Sequence, residues 1–298
     1  MAVKTEFTEF VANDIKKYDG VRMPLKASFL TRTFRKWTRC TNIHPNPDDE
    51  FCFPEIGPNF GIISDYENKM RHGMRYGSGP WSEIDERLMV EKMYPHGFML
   101  INGHHRWAAA VRMKLKKAPI QILNLVHEED IINMVERSKN NRRVAVDLND
   151  MVFVNGTGLP AEKELSFPSN IRFKERIRLG FPALCRFLQS MKYDVWVFTA
   201  DYCSVDYIED LLKKYHVRPD GIITASERLQ RTSEEKKNQI KDVMRKKYIR
   251  TLTLYNDMVL VVDNESGDYR QIGLEGTAED WSASVIKAVK GIEGSEEK

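Results

Sequence analysis

The feature that most constrains the fold is a regular alternation of short apolar strands and helices in the second half of the chain. The strands are predicted at 144–146, 195–199, 221–224 and 251–255, and the intervening helices at 181–191, 204–215 and 233–248. Helices of about 10–15 residues between strands are typical of crossover connections in a parallel sheet. We therefore expect an α/β domain, followed by a hairpin of two strands within 258–273.

The first half has a less regular pattern and is predicted to form its own domain. Strands are expected at 88–93, 98–101 and 119–125, with a helix at 105–115. A length of 298 residues suits two domains, since a domain usually has about 100–200 residues. The polar cluster 139–143 follows a helical run and precedes a buried strand. We place the boundary there, which gives domains 1–140 and 141–298.

Composition excludes several classes of protein. No run approaches the roughly 18 apolar residues of a membrane span, and the acidic, aromatic N-terminus is unlike a signal peptide. Lys and Arg total 46 against 43 Asp and Glu, without the basic excess of a protein that coats duplex DNA. The four cysteines form no CxxC pair, which suits idle thiols in a reducing compartment. We expect a cytoplasmic protein without membrane association.

Polar residues with complementary chemistry follow the predicted parallel strands. Ligands and catalytic groups in such sheets gather at the carboxyl ends of the strands. There an aspartate can attack phosphorus, a hydroxyl and an ammonium can hold phosphoryl oxygens, and carboxylates can hold Mg²⁺. The residues in question are Asp147, Asn149 and Asp150 after the first strand, Thr199 after the second, Lys236 and Lys237 near the start of the last helix, and Asn256 and Asp257 after the fourth strand.

On these residues, positions 144–290 resemble the haloacid dehalogenase (HAD) superfamily. Val-Ala-Val-Asp147-Leu-Asn149-Asp150 is similar to its first motif, and Val-Trp-Val-Phe-Thr199-Ala to its second. The resemblance implies a Rossmannoid parallel sheet with a minimal cap and an Mg²⁺-dependent phosphohydrolase. Its catalytic residues would be Asp147, Asn149, Thr199, Lys236 and Lys237, and its metal ligands Asp147, Asn149 and Asp257. For the fourth motif, Asp263 and Asp268 are alternatives to Asp257, which we prefer because a helix-to-strand crossover ends there.

One departure from the HAD pattern bears on activity. The position two after the nucleophile is usually an Asp that acts as general acid and base, and here it is Asn149. An amide cannot shuttle a proton, and losing a general acid typically costs about 10²–10⁴ in rate. Either hydrolysis is slow, or another group such as Asp150 serves, or this half binds phosphate or metal without hydrolysis.

In the first half, a strand running into Asn102-Gly103-His104-His105-Arg106 indicates an anion site. A helix N-terminus offers free N–H groups and the positive end of a dipole, and an arginine adds a fork for phosphate oxygens. A glycine allows the backbone to approach a ligand closely. Residues Gly103, His104, His105 and Arg106 are therefore the predicted nucleotide-binding residues.

This stretch resembles the ParB/sulfiredoxin-like superfamily, over residues 84–126. Sulfiredoxins have a catalytic Cys where His104 stands, and no helix-turn-helix of the partitioning ParB proteins is apparent. The Gly-His-His-Arg version is most similar to the free-serine kinases, which implies an α+β domain that binds ATP or another nucleotide. The resemblance also implies an earlier carboxylate that deprotonates the acceptor hydroxyl. The candidates are Glu50, then Glu55, with Asp48 and Asp49 less favoured.

The segment from Arg22 to Arg39 has six basic residues and no acidic one, interleaved with Phe29, Phe34 and Trp37. The favoured interpretation is an amphipathic helix that packs its aromatic rings inward and exposes its charges. The alternative is a surface that faces phosphate groups.

The combined hypothesis is a two-domain phosphoryl-handling protein. The first domain would use a nucleotide to phosphorylate a small hydroxyl compound, and the second would be an HAD-type, Mg²⁺-dependent phosphohydrolase impaired by Asn149. The expected partners are a nucleotide and a small-molecule substrate. Two alternatives stay open: a nucleic-acid binding or end-processing protein, which is less favoured, and a nucleotide sensor built from degenerate enzyme domains.

Overall fold

The structure, a computed structural model, describes residues 2–230 and 234–294. The chain divides into two compact units, Met1–Asn124 and Leu125–Lys298. Each unit has mixed α/β structure and its own six-stranded sheet that includes parallel strands.

The first unit has four helices and six strands within the described residues. They are α1 (Ala2–Tyr18), β1 (Met23–Leu25), α2 (Phe29–Phe34), β2 (Trp37–Arg39), β3 (Ile43–His44), α3 (Phe60–Arg75), β4 (Leu88–Tyr94), β5 (Phe98–Asn102), α4 (His104–Arg112) and β6 (Lys117–Leu123). The predicted strands and helix between residues 88 and 125 are present, with ends shifted by a few residues. The helices α1 and α3 were not predicted.

The sheet of the first unit has the order β2-β6-β4-β5-β3, and β1 pairs with β4. Strands β4 and β6 run parallel, as do β3 and β5, whereas β4 and β5 form an antiparallel hairpin. Buried residues of α3 and α4, including Ile63, Met70 and Trp107, join the sheet in one hydrophobic core. Helix α4 begins directly after β5, so the Gly-His-His-Arg stretch lies at the end of a strand, as the sequence predicted.

The prediction for the Arg22–Arg39 segment is wrong. It forms two short strands and one short helix rather than a single amphipathic helix. Ser28 accepts a hydrogen bond from Thr31 N and so begins a helix of only six residues, which buries none of its side chains. The aromatic side chains of this segment are exposed to solvent.

The second unit begins before the predicted boundary at 140/141. Helix α5 (Glu128–Arg137) belongs to it, because Ile131 and Val135 pack with Trp196 and Tyr248 in one cluster. The polar cluster 139–143 therefore joins a helix to a strand inside the unit. Composition marked a loop there, but only packing shows which core a helix joins.

The elements of the second unit alternate as predicted. After α5 come β7 (Arg142–Asp147), α6 (Ser169–Arg172), α7 (Phe181–Ser190), β8 (Tyr193–Phe198), α8 (Val205–Lys214), β9 (Gly221–Ile223), α9 (Ser226–Gln230), α10 (Glu234–Lys247), β10 (Arg250–Tyr255), β11 (Met258–Asp263), β12 (Tyr269–Gly273) and α11 (Trp281–Gly294). Ser233, where the sequence predicts the long charged helix to begin, lies outside the described residues.

The sheet of the second unit has the order β12-β11-β10-β7-β8-β9. The strands β10, β7, β8 and β9 are parallel, and β11 and β12 add antiparallel strands at one edge. One face packs against α7, α8 and α11, and the other against α5 and α10. Strand β7 is central, so its last residue lies between neighbours at the carboxyl edge of the parallel strands.

Two expectations from composition can be compared with the structure. No helix among the described residues is long and apolar enough to cross a bilayer. The four cysteines are free thiols, two of them buried and two partly buried. Burial raises the pKa of Cys40 to about 11, which agrees with an idle thiol.

Candidate functional site

The structure brings two of the predicted catalytic residues together at one edge of the second sheet. Asp147 ends β7 and lies opposite Phe198 of the parallel neighbour β8, so Thr199 follows at the same level. This adjacency is a consequence of parallel pairing, which aligns the carboxyl ends of both strands.

Asp147 is held by the backbone that follows it. The next five residues, Leu148–Val152, form a single π turn, and Asp147 Oδ1 accepts hydrogen bonds from Asn149 N at 2.9 Å and Asp150 N at 3.3 Å. Oδ2 has no hydrogen-bond partner among the described residues. Burial raises the pKa of this half-buried carboxyl above its ordinary value. The turn thus orients one oxygen and leaves the other available.

Asn149 lies between two polar side chains from the end of β8. The Thr199 hydroxyl donates to Asn149 Oδ1 at 2.5 Å, and Asn149 Nδ2 donates to Asp201 Oδ2 at 2.7 Å. Asp201 N donates in turn to Thr199 Oγ1 at 3.0 Å. Thr199 is fully buried, so its hydroxyl is held in place by these bonds. The amide of Asn149 therefore has one defined orientation.

Asp201 is a site residue that the sequence reasoning missed. It comes two residues after Thr199, outside the strand itself, and its carboxylate is exposed beside Asn149. An acidic residue two positions beyond a strand is a common feature of loops, so only the hydrogen bond to Asn149 distinguishes it.

Asp257 lies at the same edge of the sheet as Asp147. It shares a two-residue turn with Asn256, and both have positive φ, as in the tight turn of a hairpin between β10 and β11. Asp263 pairs with Arg250 at the opposite end of β10. Asp268 follows Asp263 in the loop at that far edge, because Asp263 N donates to its carbonyl oxygen. Of the three alternatives, only Asp257 is near the ends of β7 and β8.

Arg178 is a second residue that the sequence did not indicate. Its guanidinium is buried, stacks over the Trp281 ring at 4.5 Å, and donates through Nη1 to Asp257 Oδ1 at 3.1 Å. Its Nε is buried without a hydrogen-bond partner among the described residues. A buried cation at this edge is suited to attract anions, whereas the sequence assigned that role to lysines.

The two predicted lysines point to carboxylates of their own helical layer. Lys236 lies 3.9 Å from Glu128, and Lys237 lies 2.5 Å from Glu234. Neither has a contact with Asp147, Asn149 or Thr199 in the described part of the chain. The structure therefore does not bring these lysines into the strand-edge site.

The oxygen donors at this edge are compatible with Mg²⁺. Asp147 and Asp201 offer carboxylate oxygens close to Asn149, and Mg²⁺ prefers oxygen ligands. No group of three or more His, Cys, Asp and Glu side chains with metal-binding geometry occurs among the described residues. Mg²⁺ usually binds through one or two carboxylates with water and substrate phosphate completing its shell, so the donor set fits this ion.

In the first unit, Gly103 has the backbone conformation that the motif requires. Its φ is +100°, and a Cβ there would lie 2.8 Å from Leu88 Cδ2 and 2.9 Å from two nitrogens of Arg106. Both the positive φ and the lack of space exclude larger residues. Glycine at 103 therefore allows Arg106 to fold back beneath the start of α4.

The two histidines of the motif are acceptors rather than cations. His104 is buried, and its Nε2 accepts from Asn46 N at 3.3 Å while Nδ1 lies 3.5 Å from the Asp49 carboxylate. Burial lowers the pKa of His104 to about 4. His105 is partly buried, and its Nε2 accepts from Asn59 N at 3.2 Å. Burial lowers its pKa as well.

Arg106 is only 4% exposed and is already paired. Nη1 forms an ion pair with Glu86, whose side chain is 70% exposed, and Nη2 donates to Asn102 Oδ1 at 3.0 Å. Its Nε is buried without a partner among the described residues. The guanidinium therefore lies inside the motif, with an exposed carboxylate at the position where an anionic ligand would bind.

Among the candidate carboxylates, the structure brings Asp49 to the motif. Asp49 is the residue near His104, and its Oδ1 accepts from Phe51 N at 3.0 Å at the start of a 3₁₀ turn. Glu50 and Glu55 are exposed and have no contact with the motif residues in the described part of the chain. The preference for these two glutamates was wrong in geometry, because the turn directs their side chains away from α4.

The chain matches no known protein-family model, no curated protein and no solved structure.

Proposed function

We propose that the chain is a phosphoryl-handling protein whose second unit hydrolyses phosphate esters slowly with Mg²⁺. One observation supports this most: Asp147, Asn149, Thr199 and Asp201 form a single hydrogen-bonded network at the carboxyl ends of two adjacent parallel strands. The resemblance of this stretch to the HAD superfamily points to the same reaction class.

Asp147 is the proposed nucleophile. Its Oδ2 would attack phosphorus and form an aspartyl phosphate, while the bond from phosphorus to the ester oxygen breaks and that oxygen takes up a proton. Water would then attack the same phosphorus, releasing phosphate and returning the carboxylate. A bound Mg²⁺ would neutralise phosphoryl oxygens, and Asp147, Asn149 and Asp201 are the residues placed to hold it.

The network also accounts for a slow reaction. The leaving oxygen needs a proton, and the amide of Asn149 has none to give. Asp201 and Asp150 are the neighbouring carboxyl groups, and neither takes the place of an acid at position 149. The buried Arg178, next to Asp257, contributes positive charge for the phosphoryl group.

Hydrolysis of p-nitrophenyl phosphate tests the proposal. We expect a low rate with Mg²⁺, no rate with EDTA, and no rate in Asp147→Asn. The matched control is Asp268→Asn, the same chemical change in the loop at the opposite edge of the sheet, which should keep the wild-type rate. Equal rates in Asp147→Asn and wild type would rule out the assigned nucleophile.

For the first unit we propose nucleotide binding at the N-terminus of α4, with phosphate transfer to a small hydroxyl compound. Support comes from the close backbone at Gly103 and from the buried, incompletely bonded guanidinium of Arg106. A phosphate could replace the exposed Glu86 on that guanidinium. Asp49 is then the carboxylate best placed to act through His104 as base.

A panel of ATP, ADP, CTP and GTP with Mg²⁺ in a thermal-shift assay tests this binding, since a ligand stabilises by RT ln(1 + [L]/Kd). A rise in Tm that is lost in Gly103→Val supports the site. Binding without any turnover would instead favour the sensor alternative, for which the fixed amide of Asn149 is the structural argument.

A further inference from the structure

The exposed aromatic rings of the Arg22–Arg39 segment form an unusual surface in the first unit. Phe29 is 50% exposed, Phe34 75% and Trp37 51%. Large apolar side chains in such a cluster usually mark an interaction site. We call the surface formed by these rings, with Arg35, Lys36 and Arg39, the aromatic–basic surface.

The rings are presented on ordered backbone rather than on a loose loop. Trp37 and Arg39 lie on one face of β2, while Thr38 between them is buried on the other. Strand β2 pairs with β6, and Ile120 N donates to Lys36 O at 2.9 Å. The rings are therefore held in place before any partner binds.

The cations of this surface are available. Arg35 lies over the Phe98 ring at 4.7 Å and donates to Thr38 Oγ1 at 3.3 Å. Arg35, Lys36 and Arg39 form no ion pair with a carboxylate in the described residues. The whole segment from Arg22 to Arg39 contains no acidic residue, so an anionic partner would meet positive charge alone.

The positive charge continues beyond the segment. Arg39 is opposite Lys117 in the β2–β6 ladder and lines a cavity of about 650 Å³ with Lys114, Lys116 and Lys117. The single carboxylate of that lining, Asp14, is bound to His44 at 2.9 Å. Aromatic rings thus lie beside a path of cations that is longer than one phosphate.

We propose that this surface binds single-stranded nucleic acid. Unpaired bases stack on exposed aromatic rings, and a groove of cations follows the backbone. A duplex hides the faces of its bases, so it would not use the rings. Helix α2 has six residues, far shorter than the helices that lie in a membrane interface. A second copy of the surface would be repelled by its like charge.

Fluorescence anisotropy with labelled oligo(dT) and oligo(U) of about 12 nucleotides tests the proposal. We expect binding that weakens strongly between about 50 and 200 mM salt. Phe34→Ala and Trp37→Ala should each reduce affinity about tenfold, as expected for loss of one stacked base. The matched control is Phe167→Ala, since Phe167 is equally exposed but lies in the second unit.

Trp37 also provides a spectroscopic readout. Of the five tryptophans, all within the described residues, Trp37 alone is exposed. Stacking should quench its fluorescence on addition of the oligonucleotide. Trp37→Phe should keep most of the affinity and lose the quenching, which a merely structural role would not produce.

Three outcomes would overturn the proposal. They are unchanged affinity in both alanine variants, equal affinity for a duplex of the same length, and loss in Trp37→Ala of binding to phosphatidylserine vesicles but not to oligonucleotides. Because the surface lies apart from Asp147 in sequence and unit, its failure leaves the proposed hydrolysis untouched. Arg35→Ala with Arg39→Ala should reduce the salt slope by about two, or about one per phosphate contact.

Discussion

The hydroxyl of Thr199 donates to the carbonyl oxygen of Asn149 at 2.5 Å, and this bond fixes which way the amide points. With its oxygen toward Thr199, the amide turns its NH₂ group toward Asp201. An aspartate at 149 could accept from Thr199 in the same way, but it would place a second carboxylate against Asp201. The asparagine is therefore matched to the local charges, and the lack of a proton donor follows from that match.

The first prediction is that Asn149→Asp raises Mg²⁺-dependent hydrolysis of an aryl phosphate at least about tenfold, a small part of the usual acid–base contribution. The new carboxyl would lie beside Asp201, and two close carboxylates favour one bound proton. That proton would be available for the leaving oxygen. Release of p-nitrophenol measures the rate.

Two control variants define this result. Asn149→Ala should not accelerate hydrolysis, and Asn149→Asp combined with Asp147→Asn should be inactive. If Asn149→Asp stays inert with Mg²⁺ bound, the second unit is a binding module. If the wild type is already fast, another acid such as Asp150 or Asp201 acts in its place.

The second prediction concerns the stability cost of Asp147. Its pKa is raised by burial in the folded state, so the folded protein holds this proton more tightly than the unfolded chain does. Ionised Asp147 therefore lowers stability as the pH rises through and above its ordinary range. Asp147→Asn should raise the Tm near neutral pH by a few °C, and the gain should disappear in acid, where wild-type Asp147 is neutral. Calorimetry of both proteins across pH gives the comparison.

The third prediction is that His104 makes the protein less stable in mild acid. The folded-state pKa is lowered to about 4, whereas an unfolded histidine titrates near 6.5. The unfolded chain therefore takes up the proton first, and stability falls as the pH drops from about 6.5 toward about 4. The loss should be on the order of 2 kcal/mol, since one pKa unit corresponds to about 1.4 kcal/mol.

Urea unfolding at about pH 7 and about pH 4.5 measures this difference. His104→Gln keeps an acceptor for Asn46 N but does not titrate, so its stability should depend less on pH. His72→Gln, a change at an exposed histidine on α3, should behave as wild type. An identical pH dependence in His104→Gln and wild type would show that other groups cause the acid sensitivity.

The fourth prediction separates the structural and binding roles of Arg106. Because Arg106 is buried and bonded to Asn102 and Glu86, Arg106→Ala should lower the free energy of unfolding by about 1–3 kcal/mol. This differs from the expectation of an arginine that serves only a ligand. Glu86→Gln should keep the fold, remove a carboxylate that competes with phosphate, and increase the Tm shift caused by nucleotides. A smaller shift in Glu86→Gln would contradict the phosphate assignment.

Local patterns in the sequence were sufficient for much of the second unit. The strands around Val144, Val195 and Leu252 are short apolar runs, and the helices between them have apolar residues at helical spacing. Since such alternation indicates parallel strands, it also predicted that Asp147 and Thr199 meet at one edge. In the first unit, the Asn102-Gly103 step correctly marked the end of a strand and the start of a helix.

The remaining features were decided by contacts between distant parts of the chain. Arg178 meets Asp257 across 79 residues, and Arg106 meets Glu86 across 20. Charges occur throughout a sequence that is 30% charged, so spacing alone does not show which of them pair. The same limit explains the choice of Glu50 over Asp49, because the direction of a side chain in a 3₁₀ turn depends on local backbone geometry.

The aromatic rings of residues 29–37 show the difference most clearly. Sequence by itself determined that Phe29, Phe34 and Trp37 occur among cations without an acidic neighbour, and it predicted burial, since aromatic rings are usually removed from water. Tertiary structure decided that they are exposed, because Ser28 begins a helix too short to form a buried face and β2 turns Trp37 outward. Periodicity reports which residues share a face, whereas only packing determines whether another element covers that face.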